Sequence, residues 1–108
     1  MKTGIILQSN DPEHVWNTLR LASAMRKAGH SVQIFLFSEG VELEDIHDTD
    51  QFDVSKKLQE FKDAGGVILA CGTCLKVRGR SESKVCPITT LNDMVKMIEE
   101  SDKVLVFG

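Results

Sequence analysis

The hydrophobic positions of the chain form short apolar runs separated by longer segments with helical spacing. Gly4 to Leu7 is apolar and is followed by Gln8-Ser9-Asn10-Asp11-Pro12, which reads as a buried strand ending in a turn. Asn10 or Asp11 is placed to cap a helix, with Pro12 in its first turn, where a missing N–H does no harm. Val15, Leu19, Ala22 and Met25 then recur at three- and four-residue spacing, one face of an amphipathic helix that Gly29 closes. Val32 to Phe37 is a second buried strand. Ser38 to Gln51 is rich in acids, has almost no core pattern beyond Val41, Leu43 and Ile46, and reads as a loop. Asp53 opens a helix lined by Val54, Leu58 and Phe61 and stopped at Gly65-Gly66. Val67 to Ala70 is a third buried strand, with Cys71 at its carboxyl end. A short helix is expected over Gly72 to Val77 and a polar turn over Arg78 to Lys84. A short strand around Val85-Cys86 follows, ended by Pro87. Thr89 or Thr90 caps a last helix carrying Leu91, Met94, Val95 and Ile98, and Lys103 to Phe107 is the last strand.

Strands alternating with helices specify a parallel sheet with helices on both faces, and in such folds ligands sit beyond the carboxyl ends of the strands. At 108 residues the chain makes a single domain, residues 1–108. A formal net charge of -3 argues against direct nucleic-acid binding, which needs a basic face. The N-terminal apolar run is too short for a signal segment or a membrane span, and no later run is longer. A cytoplasmic protein without a membrane partner is therefore expected.

Three cysteines are an odd set for a secreted disulfide scaffold, and in a reducing compartment they serve as nucleophile, redox pair, metal ligand or core filler. Cys71 ends a strand where a helix begins, so its sulfur lies near unpaired N–H groups. Lys76, Arg78, Arg80 and Lys84 follow closely, with Glu82 opposing them. Such surroundings favour the nucleophilic thiolate over the thiol. Gly72 leaves room for a substrate, and with Asn10, Thr73 and Arg78 it completes the candidate substrate-binding set. A small buried cysteine at a tight turn is the bland alternative, and Cys74 three residues on weighs against it. Cys71-Gly72-Thr73-Cys74 lacks the preceding Trp and the antiparallel hairpin of a thioredoxin domain. One pair plus Cys86 falls one ligand short of a structural zinc site, and His14, His30 and His47 have no spacing that supplies it, so neither metal nor cofactor is expected. Cys86 reads equally well as a resolving thiol and as a core residue. His14 and His30 read as surface residues and Trp16 as packing. The acids from Glu39 to Asp53 form either a solvated run or, opposite Lys76 to Lys84, a docking surface through which copies associate.

Val67 to Ala70, then Cys71, then a helix ending in Arg78-Gly79 resembles the DsrE/DsrF-like (TusD-related) sulfur-relay family, and the likeness runs along the whole chain. The resemblance implies a three-layer α/β/α sandwich with a mostly parallel five-stranded sheet. It implies that Cys71 carries a persulfide and hands sulfur from a donor protein to an acceptor protein, in a homotrimer or homohexamer. Phe35, Phe37 and Val41 are the apolar positions expected to be buried on assembly. Cys74 and Cys86 depart from the relay pattern and leave two other uses open. One is a dithiol redox module of Cys71 and Cys74; the other is a non-catalytic oligomer that binds a small ligand at the sheet end.

Overall fold

A computed structural model describes all 108 residues, Met1–Gly108. Five strands, β1 (Lys2–Leu7), β2 (Ser31–Leu36), β3 (Val67–Cys71), β4 (Ile88–Thr89) and β5 (Lys103–Phe107), form one sheet in the order β4-β3-β2-β1-β5. Every pairing is parallel. Four helices connect them: α1 (Pro12–Lys27), α2 (Val54–Asp63), α3 (Gly72–Val77) and α4 (Leu91–Glu100). This is the expected three-layer α/β arrangement. Because all strands run one way, their carboxyl ends form a single edge, where Ser9, Ser38, Cys71 and Thr90 emerge.

Local chemistry explains most boundaries. Asp11, not Asn10, caps α1, its carboxylate accepting from the N–H groups of Glu13 and His14 at 3.0 and 3.1 Å. Thr90, not Thr89, caps α4 in a reciprocal box with Asp93. Val15, Leu19 and Ala22 of α1 and Val54, Leu58 and Phe61 of α2 are buried as their spacing predicts. Trp16 is a packing residue: its ring stands edge-on to Phe52 at 5.4 Å and its Nε1–H donates to Asp53 at 2.7 Å.

Four expectations are corrected. Ser38–Asp45 is a 3₁₀ helix, not a loop, and it buries Val41 and Leu43 despite its acids. It is drawn tight against the sheet: a Cβ on Gly40 would collide with the Leu7 carbonyl oxygen. The short strand lies after Pro87 rather than before it. Proline has no N–H to donate but its carbonyl accepts from the Ala70 N–H at 3.0 Å, so pairing begins there and β4, an edge strand, continues through Ile88 and Thr89. Phe35 and Val41 are core residues, 0% and 1% exposed, and Phe37 packs half-buried against them, so none of the three is surface reserved for assembly. Finally, α4 buries Met94 and Met97 and turns Leu91, Val95 and Ile98 outward.

The last correction follows from the layers. α1 and α2 pack together on one face of the sheet. α4 alone crosses the other, over Gly4, whose missing side chain makes room for Met97 and for Ser101 Oγ. A single ten-residue helix cannot cover a five-stranded face, and Val67 and Val106, on the same side by register, stay exposed.

Candidate functional site

The site is built where β3 becomes α3. Cys71 is the last residue of β3 and the N-cap of α3, with extended backbone and no side-chain capping bond. β3 lies second from the edge of the sheet, beside β4, rather than at its centre. Its neighbour across the turn is Gly72, where a Cβ would stand 3.1 Å from Ile88 Cγ2 and 3.2 Å from the Thr89 carbonyl oxygen. Glycine there lets β4 close against the turn.

The cysteine is not presented to solvent. Cys71 is 3% exposed, so its sulfur is out of direct reach of a partner. Cys74 is half-buried in the first turn of α3, three residues after the Cys71 N-cap and therefore on the same face of that turn. Burial pushes the Cys74 thiol above its ordinary value, and its neighbour Cys71 pushes it further through hydrogen bonding and charge. Two groups pull the other way: the Ser38 N–H, which donates to Cys74 Sγ at 3.2 Å, and the Arg78 guanidinium.

Ser38 is a part of the site that the sequence reading missed. It is the only non-glycine residue with positive φ, 52°, and its N–H donates to the Cys74 sulfur. The signal was available, because Ser38 follows the apolar run of β2 and so stands at a strand's carboxyl end. The acids after it drew the segment into a loop instead.

Those acids cancel the basic neighbourhood. Arg78 donates to Glu42 at 3.1 Å and to the Cys74 carbonyl oxygen at 3.0 Å. Arg80 donates to Glu44 at 3.0 Å and pairs with Asp45, while Glu44 also accepts the Lys84 N–H at 2.8 Å. The acidic and basic segments therefore close on one another within the chain instead of forming unlike docking patches, and of the basic residues only Arg78 bears on the thiol pair. Together, the 3₁₀ helix Ser38–Asp45 and the segment after α3 roof the carboxyl end of β3.

The other candidate residues are spread around this core. Asn10 lines a shallow 310 Å3 depression with Pro12, Glu42 and His47. Since Glu42 holds Arg78, that depression adjoins the thiol pair through one ion pair. Thr73 is exposed on the first turn of α3. Cys86 stands apart: its sulfur is 3.6 Å from Ser83 Oγ, with Lys62 and Glu44 nearby, and burial raises its titration above the ordinary thiol value. No other thiol is among its partners. His14 is exposed and lies 3.3 Å from Ser9 Oγ. No group of three His, Cys, Asp or Glu side chains is arranged to hold a metal ion.

Fold and sequence comparisons place the chain among known proteins. The crystal structure of the ychN protein from E. coli superposes with a TM-score of 0.81 and 26% identity, covering 99% of this chain and 100% of that one. The uncharacterised protein MK0008 of Methanopyrus kandleri is 32% identical over 100 residues, 88% of this chain and 83% of its own. The uncharacterised protein MJ0989 of Methanocaldococcus jannaschii is 31% identical over 101 residues, 88% of each chain. Residues 1–107 match the DsrE/DsrF-like family, and the chain belongs to that family.

Proposed function

We propose that this is a cytoplasmic sulfur-relay protein that carries a persulfide on Cys71 and transfers the sulfur to a protein partner. The observation that carries the reading is the position of Cys71: a cysteine at the carboxyl end of a parallel strand, in a chain of a family linked to sulfur relay. In this reading Asn10, Gly72, Thr73 and Arg78 are the residues that meet the substrate or partner. The charges over the site pair internally, so a partner docks by shape and by displacing the roof rather than by reading a basic patch.

The relay works as a homo-oligomer, a trimer or hexamer, built on the apolar face that α4 leaves open. For the single chain, no helix is long and apolar enough to cross a membrane. Incubation of the reduced protein with a sulfane-sulfur donor tests the reading by intact mass. A gain of one sulfur atom in Cys74→Ala, absent when Cys71→Ser is added to it, is expected; no adduct on Cys74→Ala with several donors overturns it.

A second reading, a dithiol redox module, is favoured by the placing of Cys71 at the N-cap of α3 and of Cys74 three residues on, on the same face of its first turn. It requires a reversible Cys71–Cys74 disulfide with a defined reduction potential and no sulfur uptake. A Cys74→Ala variant with unchanged thiol oxidation chemistry excludes it.

A further inference from the structure

All four α-helices of this chain begin with a polar or sulfur-bearing side chain at the N-cap and another three residues on, and at α1 and α4 the two side chains stand close together. At α4, Thr90 Oγ1 donates to the Asp93 carboxylate at 3.1 Å. At α1, the Asp11 carboxylate stands 4.0 Å from His14 Nδ1. The first turn of a helix brings these two positions face to face, which is why reciprocal capping works at all. On α3 the same two positions are Cys71, the N-cap, and Cys74, so the first turn sets the two thiols on one face.

The roof makes this placement decisive. With Cys71 3% exposed, a thiol from another protein must displace the 3₁₀ helix Ser38–Asp45 or the segment after α3 before it reaches the sulfur. Cys74 is already there, and a nucleophile held in place acts at a very high effective concentration. It also has two groups that favour its thiolate, the Ser38 N–H at 3.2 Å and the Arg78 guanidinium.

We propose that Cys74 is a resolving thiol that discharges a persulfide on Cys71 as hydrogen sulfide and leaves a Cys71–Cys74 disulfide. The inference rests on the persulfide reading of Cys71 given above. Cys74 loses its proton to water, and its thiolate attacks Cys71 Sγ, the inner sulfur, which the first turn of the helix sets opposite it. The Cys71–Cys74 S–S bond forms as the bond from Cys71 Sγ to the outer sulfur breaks. The outer sulfur leaves with the electron pair as hydrosulfide. It is reduced from the sulfane level to sulfide while the two cysteines are oxidised to the disulfide, so no outside oxidant enters. Relay to a partner then competes with internal discharge, and a discharged chain needs a dithiol reductant before it can be loaded again.

The test loads reduced wild type, Cys74→Ala and Cys74→Ser with inorganic polysulfide, removes the donor by rapid desalting, and follows free sulfide and intact mass. Wild type is expected to release sulfide without added reductant and to end two hydrogens lighter than the reduced chain, with the disulfide mapped to Cys71 and Cys74. Both variants should keep the added sulfur and release sulfide at least about a hundredfold more slowly, a modest fraction of the advantage an oriented intramolecular group can have. Equal release from wild type and variants, or an added sulfur mapped to Cys74, overturns the resolving role. Failure of both variants to take up sulfur overturns the persulfide reading instead.

Discussion

At the residue scale the site turns on which atoms Cys74 faces. Its titration is raised first by burial, then by Cys71 as hydrogen-bonding and charged neighbour, and is held back by the Ser38 N–H and Arg78, itself paired with Glu42. Replacing Cys71 by Ser removes the sulfur neighbour but leaves the burial, so the Cys74 midpoint should fall toward the ordinary thiol value without passing below it. The pH dependence of alkylation, read by peptide mapping, measures this; a midpoint unmoved by Cys71→Ser would mean the thiols do not communicate. In the wild type the reactive thiolate of Cys74 becomes populated only as the pH rises above the usual cysteine range. Internal discharge should therefore quicken steadily from neutral to alkaline solution.

Among the elements, the roof is the part to perturb. Glu44, with a side chain only 9% exposed, joins the 3₁₀ helix to the segment after α3 by accepting from both Arg80 and the Lys84 N–H. Glu44→Gln keeps the shape but loses the charge, and should lower stability by roughly 1 kcal/mol, with Arg80's partial exposure limiting the effect. It should also speed alkylation of Cys71 several-fold in a Cys74→Ala, Cys86→Ala background. Salt should act in the same direction on the parent, since exposed ion pairs are screened. Denaturant unfolding and labelling kinetics measure the two effects. Unchanged labelling of Cys71 would show that these ion pairs do not hold the cover closed.

For the whole molecule, the open question is what lies on the α4 face. Leu91, Val95 and Ile98 on α4 are 59%, 47% and 42% exposed, and Val67 and Val106 stay exposed on the same side of the sheet. Exposed apolar positions gathered on one side of a domain mark an interface. If copies assemble through it, Val95→Asp should convert the oligomer to monomer, because a carboxylate buried there is unpaired. Sedimentation velocity distinguishes the states. A monomeric wild type, or a Val95→Asp variant that assembles as before, removes this face from the assembly.

How much of this was legible in the sequence depends on the range of the forces involved. The apolar runs of β1, β2, β3 and β5, the capping at Asp11 and Thr90, and the stop at Gly65-Gly66 are local, so periodicity and turn chemistry were enough to find them. Cys71 at a strand's carboxyl end, with Cys74 one turn on, belongs to the same class. The placement of β4 after Pro87 depended instead on which carbonyl met Ala70. The partners of Arg78 and Arg80 lie 36 and 35 residues away, and no local pattern says that the acids there will meet them. The exposed stripe of α4 likewise has the spacing of a core face, and only the width of the sheet beneath it left that stripe outside. The sequence by itself thus determined four of the five strands, the four α-helices and the place of the two cysteines along the chain. The tertiary structure decided that Cys71 is roofed, that its basic neighbours are neutralised and that one apolar face stays open, because burial and charge pairing are set by whatever distant segment packs against a residue.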